Sequence, residues 1–240
     1  MASTSKSGDS RRPYQQVADQ IRTVIEQSGF VPGSRLPPER ELALQLGVSR
    51  PSLREALIAL EIEGRVEIRM SSGVYVCAAP EQASDDVQAL GESPIELMQA
   101  RAVLEGSVVS LAAARATRQG VERVRSCLEA MRQEVQRGQS PVDADRRFHV
   151  AIAELTGNSL LARLVGDLFD GRHGAISSRM SRHSETARTW ESALQEHERI
   201  CQALESRDPQ EATAAMLSHL KASRARWIDE SSAGGEDGHG

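Results

Sequence analysis

Residues 47–64 read GVSRPSLREALIALEIEG, and their spacing decides the fold. Gly47, Val48 and Ser49 predict a tight turn, with Ser49 placed to cap a following helix. Pro51 suits the first turn of that helix, and Gly64 suits its stop. Between them Leu53, Leu57 and Leu60 recur at helical spacing and point to one buried face. Short polar and basic groups gather at the N-terminal end: Ser49, Arg50, Ser52 and Arg54. Arg50 and Arg54 lie one turn apart, placed to reach the acceptors of guanine in a major groove.

Upstream, Val17, Ile21, Val24 and Ile25 predict a helix starting at Pro13. GFVPGSRLPPER (29–40) breaks it with glycine and proline, and a short helix follows at about Glu39 to Leu46. Arg40, near its start, is placed to reach a backbone phosphate or a base edge. Downstream, Val66 and Ile68 alternate with polar residues, Ser71, Ser72 and Gly73 turn, and Val74 and Val76 alternate again. This predicts a two-stranded hairpin whose small polar tip fits a minor groove. Three helices with a tight turn before the third, then a hairpin, make a winged helix-turn-helix.

Residues 79–92 are acidic and weakly patterned, which predicts a linker. From Ser93 onward the pattern is helix after helix, punctuated at Gln119-Gly120, Gly138–Pro141, Gly157-Asn158, Ser184 and Asp208-Pro209. The fold expected is therefore mainly α: an N-terminal winged helix-turn-helix (13–78) joined to an all-α bundle of about six helices (93–229). Polar tails, 1–12 and 230–240, are expected to be disordered.

Charge divides the same way. Residues 1–78 hold 10 basic and 9 acidic residues, and 79–240 hold 19 and 25, giving the net −5. That balance argues against a protein that coats nucleic acid and suggests two parts with two jobs. No apolar run approaches a membrane span, and the polar start lacks a signal peptide's apolar core. Cys77, Cys127 and Cys201 are too scattered to pair as a metal site, so a reducing cytoplasm is expected.

PVDADRRFHVAIAELTGNSLL (141–161) contains an oddity. Its apolar face runs Phe148, Ile152, Leu155, yet Asp145 and His149 share that face one turn apart. An acid and an imidazole facing an apolar interior are costly unless satisfied. His197 likewise shares a face with Leu194, Cys201 and Leu204, and His219 with Ala212, Met216 and Trp227. His173, His183 and His239 fall outside this pattern. Three imidazoles and a carboxylate from three helices suit a divalent ion, with zinc favoured and nickel or manganese as alternatives. Open coordination positions would remain for water or a ligand oxygen.

Residues 31–69 followed by SGVYV (72–76) resemble the DNA-binding domain of GntR-type bacterial transcription regulators. The likeness covers the PG before LPPER, the GVSR turn, the REAL segment, the EG stop and the hairpin. It implies operator contacts by Arg40, Ser49, Arg50, Arg54 and Gly73. The wing tip, Met70-Ser71-Ser72-Gly73, departs from the His-Gly or Gly-Gly common there. The C-terminal part resembles the helical ligand-binding (FCD) domain of the FadR subfamily, whose aspartate, histidine four residues later and two late histidines match Asp145, His149, His197 and His219. In that subfamily the metal commonly holds a carboxylate-bearing effector. Arg101 matches a common arginine in ARAVLE, and Asn158 belongs to a typical TGN; both are candidates for effector binding. Arg172, read as an inward position on one helix with Leu161, Val165 and Ile176, is a further candidate anion contact. LEIEGRVEIR and SPIELMQARAVLE resemble hexuronate-responsive members, which implies a sugar acid, a uronate or an aldarate.

These readings converge on a regulator of transcription, not an enzyme. It would bind double-stranded operator DNA as a homodimer, because one winged helix reads too few bases. A small organic acid at the metal would release it from DNA. The alternatives are a regulator that senses the metal itself, a structural metal, or a metal-dependent hydrolase.

Overall fold

The computed structural model describes residues 12–69, 72–78, 90–184 and 186–228. Met70 and Ser71 of the hairpin tip, most of the expected linker and both expected tails lie outside these residues, as do His239 and the side chain of His183. The chain forms two compact units, the first ending at Ser93 and the second starting at Pro94.

In the first unit, α1 (Pro13–Gln27), α2 (Glu39–Leu46) and α3 (Arg50–Ile62) precede strands β1 (Val66–Arg69) and β2 (Gly73–Val76). Gly47 closes α2 in the left-handed region (φ +67°), where a side chain would be strained. Ser49 then caps α3 by accepting from the Ser52 amide at 3.2 Å. Leu53, Leu57 and Leu60 are fully buried against Val17, Ile21, Leu36, Leu42 and the hairpin's Val66, Val74 and Val76. Each such side chain contributes about 1.5–3 kcal/mol. The hairpin is antiparallel, with Val66 opposite Val76 and Arg69 opposite Gly73. The PGSRL segment fastens to it through the Leu36 amide and the Val74 carbonyl, 2.8 Å apart.

The expected linker ends earlier than its composition suggests. Leu90 is buried, and the Gly91 carbonyl accepts from Arg12 and from Tyr14 Oη. Ser93, read from the sequence as the start of the bundle, belongs to the first unit.

The second unit comprises α4 (Pro94–Arg115), α5 (Arg118–Gln136), α6 (Val142–Glu154), α7 (Ser159–Asp170), α8 (Ala175–Ser184), α9 (Ala187–Glu205) and α10 (Pro209–Ile228), with a single 3-10 turn at Gly171–His173. The described residues hold seven α-helices here, where the sequence led us to expect about six. The stretch read as one helix from Leu161 to Ile176 is broken, because Gly171 and Gly174 flank the 3-10 turn that carries Arg172. The break expected at Gln119-Gly120 instead falls before α5, where Thr117 caps the helix through the Gly120 amide at 3.1 Å. Gly120 lies in the first turn of α5, and Leu155 Cδ2 occupies the space a Cβ would need there, so only glycine lets Leu155 pack this close. Phe148, Ile152, Val109, Ala112, Leu128, Ile200, Leu204 and Met216 form the core joining α4, α5, α6, α9 and α10. No helix among the described residues is long and apolar enough to cross a membrane.

Candidate metal centre and operator-reading surface

Asp145 and His149 sit one turn apart on α6, His197 on α9 and His219 on α10. One potential ligand atom from each lies within 4.8 Å of all the others. His197 Nε2 is 3.0 Å from Asp145 Oδ1, and His149 Nε2 is 3.3 Å from the same oxygen. The three rings are buried, and Asp145 Oδ1, His149 Nε2 and both nitrogens of His197 have no hydrogen-bond partner. Buried polar atoms are normally satisfied, so three orphans meeting at one point, Asp145 Oδ1, His149 Nε2 and His197 Nε2, need an explanation. Ligand atoms at about 2.1 Å from a common ion stand about 3 Å apart along adjacent edges. The spacing and the donor set fit a divalent transition ion.

The rings are held from behind. His149 Nδ1 meets Glu105 Oε2 of α4, and His219 Nδ1 meets Glu196 Oε2 of α9 at 2.8 Å. Burial pushes the Glu105 carboxyl up, but Arg101 and His149 outweigh it and hold it at about 2. Glu196 is likewise pushed up by burial and brought to about 2 by Arg226 and His219. Both are therefore anions that accept an Nδ1–H, which turns each Nε2 lone pair inward. Burial and the neighbouring His197 lower the His219 imidazole to about 3, so it is a neutral donor. Burial raises Asp145, yet His149 and His197 hold it well below the usual carboxylate range. His149 is raised: burial opposes its charged form, but Glu105 and Asp145 on either side favour it.

A cavity of about 560 Å³, including its open mouth, reaches the centre. Arg172, Trp190, Ser223, Arg226 and Trp227 line it beside His197 and His219. The Arg172 guanidinium lies 3.2 Å from Asp145 Oδ2 and stacks over Trp227, 4.3 Å from the ring centre. Arg101 is placed differently. It is 2 % exposed, bonds Glu105 at 2.7 Å and lies over Phe169, outside the cavity lining. Asn158 is also outside the lining; its side chain caps α7 by accepting from the Leu160 and Leu161 amides. Glu105, Glu196, Arg226 and Trp190 were not singled out in the sequence, and Trp227 was read only as an apolar neighbour of His219. For Glu105 a signal existed, since it follows Arg101 by one turn on a helix face that continues through buried Val108 and Ala112.

In the first unit Arg40 and Arg50 are exposed at the N-terminal ends of α2 and α3, and neither makes an ion pair among the described residues. Arg54 is half-buried, 4.0 Å from Glu39. The Ser49 and Ser52 hydroxyls face each other at 2.8 Å. Gly73 has φ +111°, and a Cβ there would stand 2.8 Å from Arg35 Nε, so glycine lets Arg35 lie across the base of the wing. Arg69 stacks on Tyr75 at 4.3 Å. Arg35 is exposed beside the hairpin, whereas Arg69 is paired with Glu67 at 2.8 Å.

The FCD domain family matches residues 96–222, and the family of bacterial regulatory proteins, gntR family, matches residues 13–76. The chain is 36% identical over 226 residues to the Uxu operon transcriptional regulator of Escherichia coli, covering 91% of this chain and 88% of that one. It is 34% identical over 227 residues to the Exu regulon transcriptional regulator of the same organism, covering 92% and 87%. Among solved structures, Escherichia coli McbR/YncC shares the fold, with a TM-score of 0.51 at 20% identity over 92% of this chain and 99% of that chain. The winged helix-turn-helix and the helical unit are thus the two parts of one regulator, and the chain belongs to the GntR family of bacterial transcription regulators, with a C-terminal FCD domain.

Proposed function

We propose that this protein is a metal-dependent, ligand-switched repressor that releases its operator when a small sugar acid binds in the FCD domain. The observation that carries this reading is the convergence of Asp145, His149, His197 and His219 on one point, at the floor of a cavity walled by Arg172 and two tryptophans. A divalent ion held there would supply Lewis-acid coordination for a carboxylate oxygen. Arg172, stacked on Trp227, is oriented to pair with an anion, and Ser223 offers a hydroxyl toward sugar hydroxyls. The tryptophan faces suit the apolar face of a sugar chain. Likeness to regulators of the Uxu operon and the Exu regulon supports a uronate, with an aldarate as the next class. Arg101 acts through Glu105 and His149 in this reading, and Asn158 through the α7 cap.

Arg50 and Arg54 read base edges, and Arg40, Ser49, Ser52 and Gly73 position the domain on the duplex. A homodimer in the cytoplasm presents two such domains to a pseudo-palindrome. The switch requires only that the acid bind the DNA-free arrangement better than the bound one.

A thermal-shift panel of uronates, aldarates, aldonates, lactate and citrate, run with zinc and after chelation, tests this. A sugar acid that raises the melting temperature only with metal, and lowers operator affinity in fluorescence anisotropy, is the expected result. If no acid shifts the transition while chelation alone changes operator affinity, the metal itself is the signal and the sugar-acid reading fails.

A further inference from the structure

The segment between α1 and α2 pairs along the hairpin as an outer strand. The Val76 amide donates to the Ser34 carbonyl at 2.9 Å, the Leu36 amide donates to the Val74 carbonyl at 2.8 Å, and Arg35 stands opposite Tyr75. Alternation then divides the side chains between two faces. Leu36, Val66, Val74 and Val76 are buried, while Arg35, Glu67 and Arg69 are exposed on the outer face. On that face Gly73 lies between Arg69, its partner across the hairpin, and Arg35, its diagonal neighbour on the other side. Arg35 leans over the glycine. Its Nε, Nη2 and Cζ atoms stand 2.8, 3.2 and 3.4 Å from where a Cβ of residue 73 would be, so a side chain there would push the guanidinium away.

The two guanidiniums differ in what else they meet. Arg69 pairs with Glu67 at 2.8 Å and stacks on Tyr75 at 4.3 Å. Arg35 makes no ion pair among the described residues, and the backbone on either side of it is held by the two hydrogen bonds to β2. From Met70 to Tyr75 the sequence carries no charge, so the turn of the hairpin brings no cation of its own. Narrow A·T minor grooves carry an enhanced negative potential that attracts an inserted arginine. An arginine whose backbone is already fixed loses less freedom on entering one.

We infer that Arg35 is the minor-groove reader of this wing: its guanidinium, carried over Gly73, enters the minor groove beside the bases read by α3 and selects A·T over G·C pairs there. A·T pairs present only acceptors in that groove, whereas guanine adds its N2 amino donor, which opposes a guanidinium. Gly73 is then a positioning residue for Arg35. The inference rests on the proposed operator reading by α3 and adds a second set of bases to it.

Fluorescence anisotropy of the full chain on a duplex selected in vitro from random sequence tests it. Each A·T pair is replaced in turn by inosine·C and by G·C. Inosine lacks the N2 amino group, so inosine·C keeps the minor-groove edge of A·T while carrying the major-groove edge of G·C. In the wild type, pairs flanking the major-groove contacts should tolerate inosine·C and lose about fivefold or more in affinity on G·C. Arg35→Ala should weaken the selected duplex and bind all three forms equally. Arg35→Gln, which keeps the aliphatic stem over Gly73 and removes the charge, should do the same. Both variants should melt with the wild type, because the side chain is exposed. Retention of the A·T preference by either variant makes Arg35 a phosphate contact and overturns the inference. A lowered melting temperature in both makes it a structural residue and also overturns it. So does a wild type in which no pair separates inosine·C from G·C while the selected duplex is still preferred over a scrambled one; operator reading by α3 then stands. Equal binding of selected and scrambled duplexes overturns both.

Discussion

His219 and Glu196 share a 2.8 Å hydrogen bond, and Glu196 is in turn clamped by Arg226, whose two terminal nitrogens reach its two oxygens at 2.6 and 2.9 Å. His149, Glu105 and Arg101 repeat the construction on the other side of the centre. In each, an arginine keeps a carboxylate ionised and aimed, and the carboxylate fixes the tautomer and plane of an imidazole. Two of the candidate ligands, His219 and His149, are thus each held by an arginine–glutamate pair.

Replacing either carboxylate should therefore weaken metal binding without dismantling the bundle. Glu196→Gln and Glu105→Gln are each expected to lower zinc affinity by about 10- to 100-fold, measured by competition with a chromophoric chelator. Circular dichroism should show helix content unchanged. Unaltered affinity in both variants would mean that the rings are positioned by packing alone.

Metal should also stabilise the fold by mass action. At a free zinc concentration about 100 times the dissociation constant, the gain is about 2.7 kcal/mol. His197→Ala removes a donor whose two nitrogens are both orphaned within the bundle, so calorimetry should show zinc raising the wild-type transition but not that of the variant. A variant stabilised as much as the wild type would exclude His197 as a ligand.

How much of this was legible in the sequence follows from distance along the chain. Asp145 and His149 could be read together because one helix sets both their spacing and their apolar neighbours. Leu53, Leu57 and Leu60, with Gly47, Ser49 and Gly64 around them, gave the recognition helix for the same reason. Glu196 was hidden because it adjoins His197 in sequence but turns to His219 on another helix, a tertiary choice that no period records. Arg172 was assigned to a helix that glycines at 171 and 174 interrupt, and the turn that results carries its guanidinium to Asp145. Ser93 looked like the edge of a bundle because its partner, Glu55, lies 38 residues earlier.

Acid should unfold the metal-stripped protein over a defined window. Glu105 and Glu196 hold their protons at about 2 when folded, against an ordinary 4.5. The folded state then binds fewer protons than the unfolded one, so their contribution is fully present above 4.5 and is lost as pH falls toward 2. Urea unfolding at a series of pH values across that range should show a stability slope, and Glu196→Gln should make it shallower. The slope is the readout, because loss of the Arg226 pair shifts stability at every pH. An unchanged slope would remove Glu196 from the account.

The two exposed arginines of α2 and α3 should separate by the kind of contact they make. Arg50 stands at the N-terminal end of the recognition helix, where a guanidinium can pair bidentately with a guanine; Arg40 starts α2, where a phosphate is nearer. Arg50→Ala is expected to cost about 1–3 kcal/mol on a duplex selected in vitro from random sequence, and much less on a scrambled duplex. Arg40→Ala should weaken both duplexes alike and reduce the slope of log affinity against log salt by about one. Neither residue carries an ion pair among the described residues, so removing either leaves no buried charge behind and the fold's stability should be unchanged. Fluorescence anisotropy at several salt concentrations measures both quantities on the same samples. If Arg50→Ala weakened the selected and scrambled duplexes equally, Arg50 would be a phosphate contact, and base readout would pass to Arg54, whose half-buried side chain would first have to leave Glu39.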